Sequence, residues 1–113
     1  MTLSKTYLPL PKGLTIRPSS IHGMGLFWMG PGKLDPETRL GIAHVLHEDF
    51  ENGYIRTPLG GFYNHSKTPN CELRDGATPN GTLTKELWTI KEITVQQELT
   101  CTYSLYQLRY SLL

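Results

Sequence analysis

Apolar and polar residues alternate along most of this chain, in runs too short to make helices. Leu14-Thr15-Ile16-Arg17 is the first such run, stopped by Pro18, which cannot donate to a strand ladder. Leu26-Phe27-Trp28-Met29 is the second. Thr38 to Leu46 is apolar-rich and partly alternating, which favours a strand over a helix. Tyr54-Ile55-Arg56-Thr57 is a short extended piece before Pro58. Cys71-Glu72-Leu73-Arg74 alternates into Asp75-Gly76, a hairpin-like signal. Thr82 to Ile93 carries Thr, Leu, Trp and Ile with period two, as a half-buried strand does. Leu99 to Tyr103 is the last clear strand, after the polar connection Gln96-Gln97-Glu98. Turn signals stand between the runs, at Ser19 to Gly25, Gly30-Pro31-Gly32, Asp35-Pro36 and Pro79-Asn80-Gly81. The pattern predicts a mainly β domain of many short strands. The exception is Phe62-Tyr63-Asn64-His65, read as one short helical turn. A sharp turn follows at Lys67-Thr68-Pro69-Asn70, because Thr68 before Pro69 is pushed towards extended geometry.

Composition narrows the picture. At 113 residues the chain is expected to be one domain, 1–113, with an extended Pro-rich lead-in at 1–13 and a short tail at 104–113. Eleven Lys and Arg face ten Asp and Glu with no block of like charge, which argues against a dedicated nucleic-acid or membrane surface. No apolar run reaches the roughly 18 residues of a membrane span, and the start lacks a signal-peptide core. An intracellular protein is the expectation. Cys71 and Cys101 have neither zinc-knuckle spacing nor the number for a disulfide framework, so reducing surroundings are the default. His44 and His47 could share a metal on a helix, but their stretch reads as a strand with no third ligand nearby. No metal is expected; a metal-binding β protein using His22, His44, His47 or His65 is kept as a minor alternative. The polar, acidic stretch His47 to Gly53 reads as a solvated loop.

Candidate chemistry concentrates in two places. Between Asn64 and Asn70 lie two amides, an imidazole, a hydroxyl and a proline, a turn able to aim backbone groups and both amides at one spot. An ordinary surface loop would also satisfy this composition. Gly23-Met24-Gly25 lets a backbone pass close to a ligand, or simply makes a hairpin turn. It is not a dinucleotide fingerprint, since a third glycine and a following helix are missing.

Taken together, three pieces resemble the SET domain, the lysine methyltransferase family. Ile21-His22-Gly23-Met24-Gly25-Leu26-Phe27 resembles the family's opening Gly-x-Gly-hydrophobic-Phe motif. Phe62-Tyr63-Asn64-His65-Ser66-Lys67-Thr68-Pro69-Asn70 resembles its Phe-x-Asn-His-Ser-x-x-Pro-Asn motif. Trp88 to Ile93 and Glu98-Leu99-Thr100-Cys101-Thr102-Tyr103 resemble its closing strand and Glu-Leu-Thr-x-x-Tyr end. Order and spacing agree from Leu14 to Tyr106. The compact length is similar to the minimal SET proteins encoded by some viruses and phages, which would place the protein in a host cytoplasm or nucleus. There are departures. Gly61 stands where the family often has Arg, Lys67 where it often has Cys, and Thr102 where an acidic residue commonly precedes the Tyr. No cysteine cluster follows Tyr103, so the zinc-bound segment of many relatives is not expected, and a homodimer that completes the site is the accompanying hypothesis.

The resemblance implies a β-clip of short sheets with a threaded, knot-like C-terminal region. It also implies methyl transfer from S-adenosylmethionine to a lysine amine of a histone tail or another host protein. The amine must first lose its proton, about 4 kcal/mol uphill near neutral pH, and an apolar aromatic channel lowers that cost. Tyr103 would orient the amine or the methyl group by its hydroxyl, with Tyr106 as a second channel residue. Gly23, Met24, Gly25, Asn64, His65 and Tyr103 would hold the cofactor. Asn70 would cap its turn, and Glu98 would satisfy nearby backbone donors. The competing reading is a catalytically silent SET-like module that binds a protein or peptide.

Overall fold

The computed structural model describes residues 10–47 and 53–102. Its elements are β1 (Leu14–Pro18), β2 (Met24–Trp28), β3 (Arg39–Leu46), β4 (Tyr54–Arg56), α1 (Pro58–Phe62), β5 (Asn64–His65), β6 (Cys71–Ala77), β7 (Leu83–Thr89) and β8 (Glu98–Cys101). They form two four-stranded sheets, one ordered β1-β2-β8-β5 and the other β4-β3-β7-β6. The architecture is mainly β, as the alternating pattern predicts.

In the first sheet β8 lies between two partners. It pairs antiparallel with β2, Leu99 opposite Leu26, and parallel with β5, Asn64 beside Thr100 and His65 beside Cys101. A strand enclosed on both edges and faces is apolar throughout rather than alternating, and Leu99, Thr100 and Cys101 are all buried. Leu26 and Leu99 are fully buried, each worth about 2 kcal/mol in surface removed from water.

Three sequence expectations are corrected. The helical turn does not cover Phe62 to His65. It begins at Pro58, because Thr57 caps it, accepting from Gly60 N at 3.3 Å, and proline suits the first helical position. Asn64 and His65 are instead strand, since β8 offers them a ladder that only the tertiary fold supplies. Nor does Asp75-Gly76 turn. β6 runs straight through it, with Asp75 opposite Lys85 and Gly76 opposite Thr84, and the chain reverses at 78–82. The long run Thr82 to Ile93 also ends as strand at Thr89. Beyond it Ile90 N donates to Asn70 O at 2.9 Å, and Ile93 bridges to Leu34.

β3 changes register against β7 between Ile42 and His44. A bulge there turns backbone groups away from the ladder, and the Ala43 carbonyl receives Thr57 N at 2.9 Å, while Thr57 Oγ1 donates to Ile42 O at 2.6 Å. α1 is thus docked on the bulge, with Leu59 buried beneath it.

His44, also on β3, is fully buried, with Nε2 3.0 Å from the Tyr63 hydroxyl and its ring edge-on to Tyr54 and Tyr63. Burial, helped by the positive charges of Arg56 and Lys85, pushes its pKa from 6.5 down to about 4. The folded state therefore holds this imidazole neutral while the unfolded chain protonates it. The stabilisation is fully present above pH 6.5 and is lost as pH falls from 6.5 towards 4, by up to about 3 kcal/mol. Urea midpoints measured from pH 7 to pH 4 should fall over that window, and His44→Gln should flatten the fall.

Candidate functional site

Asn64 is the centre of the site. It lies on β5, only 5% exposed, and its amide nitrogen faces four oxygens drawn from distant parts of the chain. Glu98 Oε2 is at 2.7 Å, Ser19 Oγ and His22 O at 3.1 Å, and Met24 O at 3.3 Å. Ser19 in turn donates its hydroxyl to the Glu98 carboxylate, 2.7 Å from Oε1 and 2.9 Å from Oε2, and accepts from Ile21 N at 2.9 Å. A carboxylate accepting from a hydroxyl and an amide makes strong, charge-assisted bonds.

The loop from Ser19 to Gly23 reaches the site because it closes the β1–β2 hairpin, Ser19 N bonding to Gly23 O at 2.8 Å. Gly23 sits at a φ of +48°, and a Cβ there would meet nothing within 4 Å. Gly25 is different. A Cβ on it would fall 2.3 Å from Glu98 Oε2 and 3.1 Å from Ser19 Cβ. The Glu98 carboxylate occupies the space that a side chain at 25 would need.

Asn70 is the second pin. Its Oδ1 accepts from Thr100 N at 2.8 Å and its Nδ2 donates to Glu98 O at 2.9 Å, both main-chain groups of β8. Ser66 N donates to Cys101 O at 3.2 Å, and Thr102 Oγ1 to Ser66 O at 3.2 Å. Segment 64–70 therefore lies along β8 from end to end.

Of the residues named from the sequence, Met24 meets Asn64 through its carbonyl and Gly25 faces the Glu98 carboxylate that Asn64 holds, while Gly23 closes the β1–β2 hairpin and His65 pairs with Cys101. Tyr103 and Tyr106 lie outside the described residues, as does the threading of the tail. Ser19 escaped the sequence reading, which saw only a turn residue. Glu98 was assigned to backbone donors, whereas its carboxylate takes the hydroxyl of Ser19 and the amide of Asn64. The signal that could have found this pair is the glycine at 25, a missing side chain opposite a strand that begins with a carboxylate.

Beside this centre a hollow of about 270 Å³ opens at the end of β8, walled by Pro69, Cys71, Leu73, Ile90, Cys101 and Thr102, with Glu72 also lining it. Burial pushes the Cys71 and Cys101 thiols up to about 12 and about 11, so both are neutral sulfhydryls in a hollow of mixed polar and apolar lining. Among the described residues no three His, Cys, Asp or Glu side chains gather as a metal site would require, and no helix is long and apolar enough to cross a membrane.

No family model and no curated protein matches the sequence. Among solved structures, the chain is similar to a Plasmodium falciparum protein described as a "putative histone methyltransferase". The TM-score is 0.66 and the identity 18%, over 83% of this chain and 95% of that one. At that identity the likeness speaks for the backbone arrangement and not for the chemistry. The chain is a mainly β protein with a SET-like fold.

Proposed function

We propose that the protein is a SET-type methyltransferase, transferring a methyl group from S-adenosylmethionine to a lysine amine of a protein substrate. The observation that carries this reading is the convergence of Gly25, Asn64 and Glu98, three segments far apart in sequence, on the fold of a described histone methyltransferase. The residues present fit the cofactor. Nothing donates to Asn64 Oδ1 among the described residues, so an acceptor is left for an ammonium or hydroxyl group. Ile21 and Met24, 51% and 47% exposed, offer apolar surface on the loop and strand whose Met24 carbonyl meets Asn64. Asn64, His65 and the backbone at Gly23 and Met24 would hold it. When bound, the sulfonium supplies the methyl group.

The protein's own part is positioning. A lysine amine must be neutral and in line with the methyl group at roughly 3–3.5 Å, and an apolar approach favours the neutral form. Tyr103, the residue after Thr102, is assigned to orient that amine through its hydroxyl. A phenol with a pKa near 10 is a poor base at neutral pH, so it is given no proton to remove. The compact chain is read as a single domain similar to minimal viral SET proteins, with a histone tail or other host protein as substrate.

The test is calorimetry with S-adenosylmethionine together with labelled methyl transfer to histones and cell extracts. Wild type should bind and transfer. Tyr103→Phe should bind equally and lose on the order of a hundredfold in transfer, the usual effect of removing one oriented hydroxyl. Full transfer by Tyr103→Phe would remove the role given to it. The hollow at the end of β8, lined by both polar and apolar groups, favours one second reading, a silent module that takes a peptide side chain there. Absence of any cofactor heat with retained peptide binding would select it.

A further inference from the structure

We propose that Ser19 and Glu98 are positioning residues, a hydroxyl–carboxylate clamp that fixes which way round the Asn64 amide sits and so presents its oxygen to the ligand. The inference rests on the reading above, that this centre takes S-adenosylmethionine. The argument starts from the shape of an amide, whose oxygen and nitrogen ends are nearly the same size. Packing alone does not choose between them; hydrogen-bond partners do. Here the Glu98 carboxylate at 2.7 Å and the carbonyls of His22 and Met24 at 3.1 and 3.3 Å can only accept. The nitrogen must face them. The reversed amide would set an oxygen against three acceptors in a site only 5% exposed, a heavily disfavoured arrangement. The oxygen is thereby left on the other side, with no donor among the described residues.

Glu98 decides the matter because it is the charged acceptor, and Ser19 decides where Glu98 sits. Ser19 Oγ holds both carboxylate oxygens within 2.9 Å and is itself fixed by Ile21 N at 2.9 Å. The seat exists because residue 25 is glycine: any Cβ there would stand 2.3 Å from Oε2. The same residue ties down the second amide of the motif, since Glu98 O accepts from Asn70 Nδ2 at 2.9 Å. A residue serving only the fold would need the main-chain bond. The carboxylate in addition ties Ser19 to Asn64 and gives that amide its polarity.

The experiment reads two quantities in wild type, Glu98→Gln, Ser19→Ala and Ser19→Thr. One is affinity for S-adenosylhomocysteine by calorimetry. The other is the Asn64 side-chain amide signal in nitrogen-15 spectra, which reports the clamp with no ligand present. Glu98→Gln should weaken binding by about tenfold, the size of one charge-assisted hydrogen bond, and Ser19→Ala by somewhat less. Ser19→Thr should restore affinity, since it keeps the hydroxyl. In Glu98→Gln and Ser19→Ala the Asn64 amide signals should move towards those of a solvent-exposed amide. If Glu98→Gln does not fold, the two Ser19 variants decide. Wild-type affinity in Ser19→Ala, or no recovery in Ser19→Thr, overturns the clamp. If wild type itself fails to bind, the cofactor reading falls and the spectra still judge the clamp: Asn64 signals unchanged in both Glu98→Gln and Ser19→Ala overturn it.

Discussion

Asn70→Ala is expected to lose about 3–4 kcal/mol of stability, measured by urea denaturation at neutral pH. The side chain is buried and serves two main-chain groups of β8, Thr100 N at 2.8 Å and Glu98 O at 2.9 Å. Alanine leaves both without a partner in a largely buried place, and each orphaned group costs about 1–3 kcal/mol. The main-chain bonds of Asn70, to Thr100 Oγ1 and from Ile90 N, survive the change, which bounds the loss. Asn70→Asp separates the two halves. A carboxylate can still accept from Thr100 N but cannot donate to Glu98 O, so it should recover only part of the stability. The effect on function follows from geometry. Glu98 and Cys101 bracket the strand that Asn70 pins, and a looser β8 moves the Asn64–Glu98 contact with it. A loss under about 1 kcal/mol in Asn70→Ala would show that the pin is dispensable.

Gly60→Ala should cost about 3 kcal/mol or more, while Gly61→Ala beside it should be neutral or slightly stabilising. Both glycines lie in α1, where alanine is the better helix former by about 1 kcal/mol, so propensity alone predicts gain at both. Space reverses the outcome at one. A Cβ on Gly60 would sit 2.0 Å from the Ala43 carbonyl oxygen and 2.8 Å from its carbon, backbone atoms held by the bulge in β3. The helix would have to lift, releasing Thr57 N from Ala43 O and uncovering Leu59. At Gly61 a Cβ would meet nothing within 4 Å. Thermal melts of the two single variants compare the same chemical change one residue apart. Equal shifts would contradict the docking of α1 on Ala43.

Much of this was legible in the chain. The alternating runs gave β1, β2, β3, β4, β6, β7 and β8 to within a few residues, because a strand's period of two is local and its turns are marked by Gly, Pro and Asn. The motif resemblance brought together Met24, Gly25 and Asn64 before any coordinates did. The failures are equally physical. Asn64-His65 has no strand pattern of its own, since two residues cannot show a period; their extended state comes from β8, which lies over thirty positions away. Asp75-Gly76 is good turn chemistry, yet the ladder with Lys85 and Thr84 outweighs it.

The sequence by itself determined the class of fold and most of the places where the chain turns. Those follow from near neighbours along the chain, whose preferences act wherever the segment goes. Only the tertiary structure decided that Glu98 serves Asn64, that Ser19 holds Glu98, and that glycine at 25 makes room for a carboxylate rather than merely shaping a turn. Such bonds join groups up to 79 positions apart. Their geometry depends on how β2, β5 and β8, distant in the chain, are brought side by side in one sheet, and no local pattern encodes that.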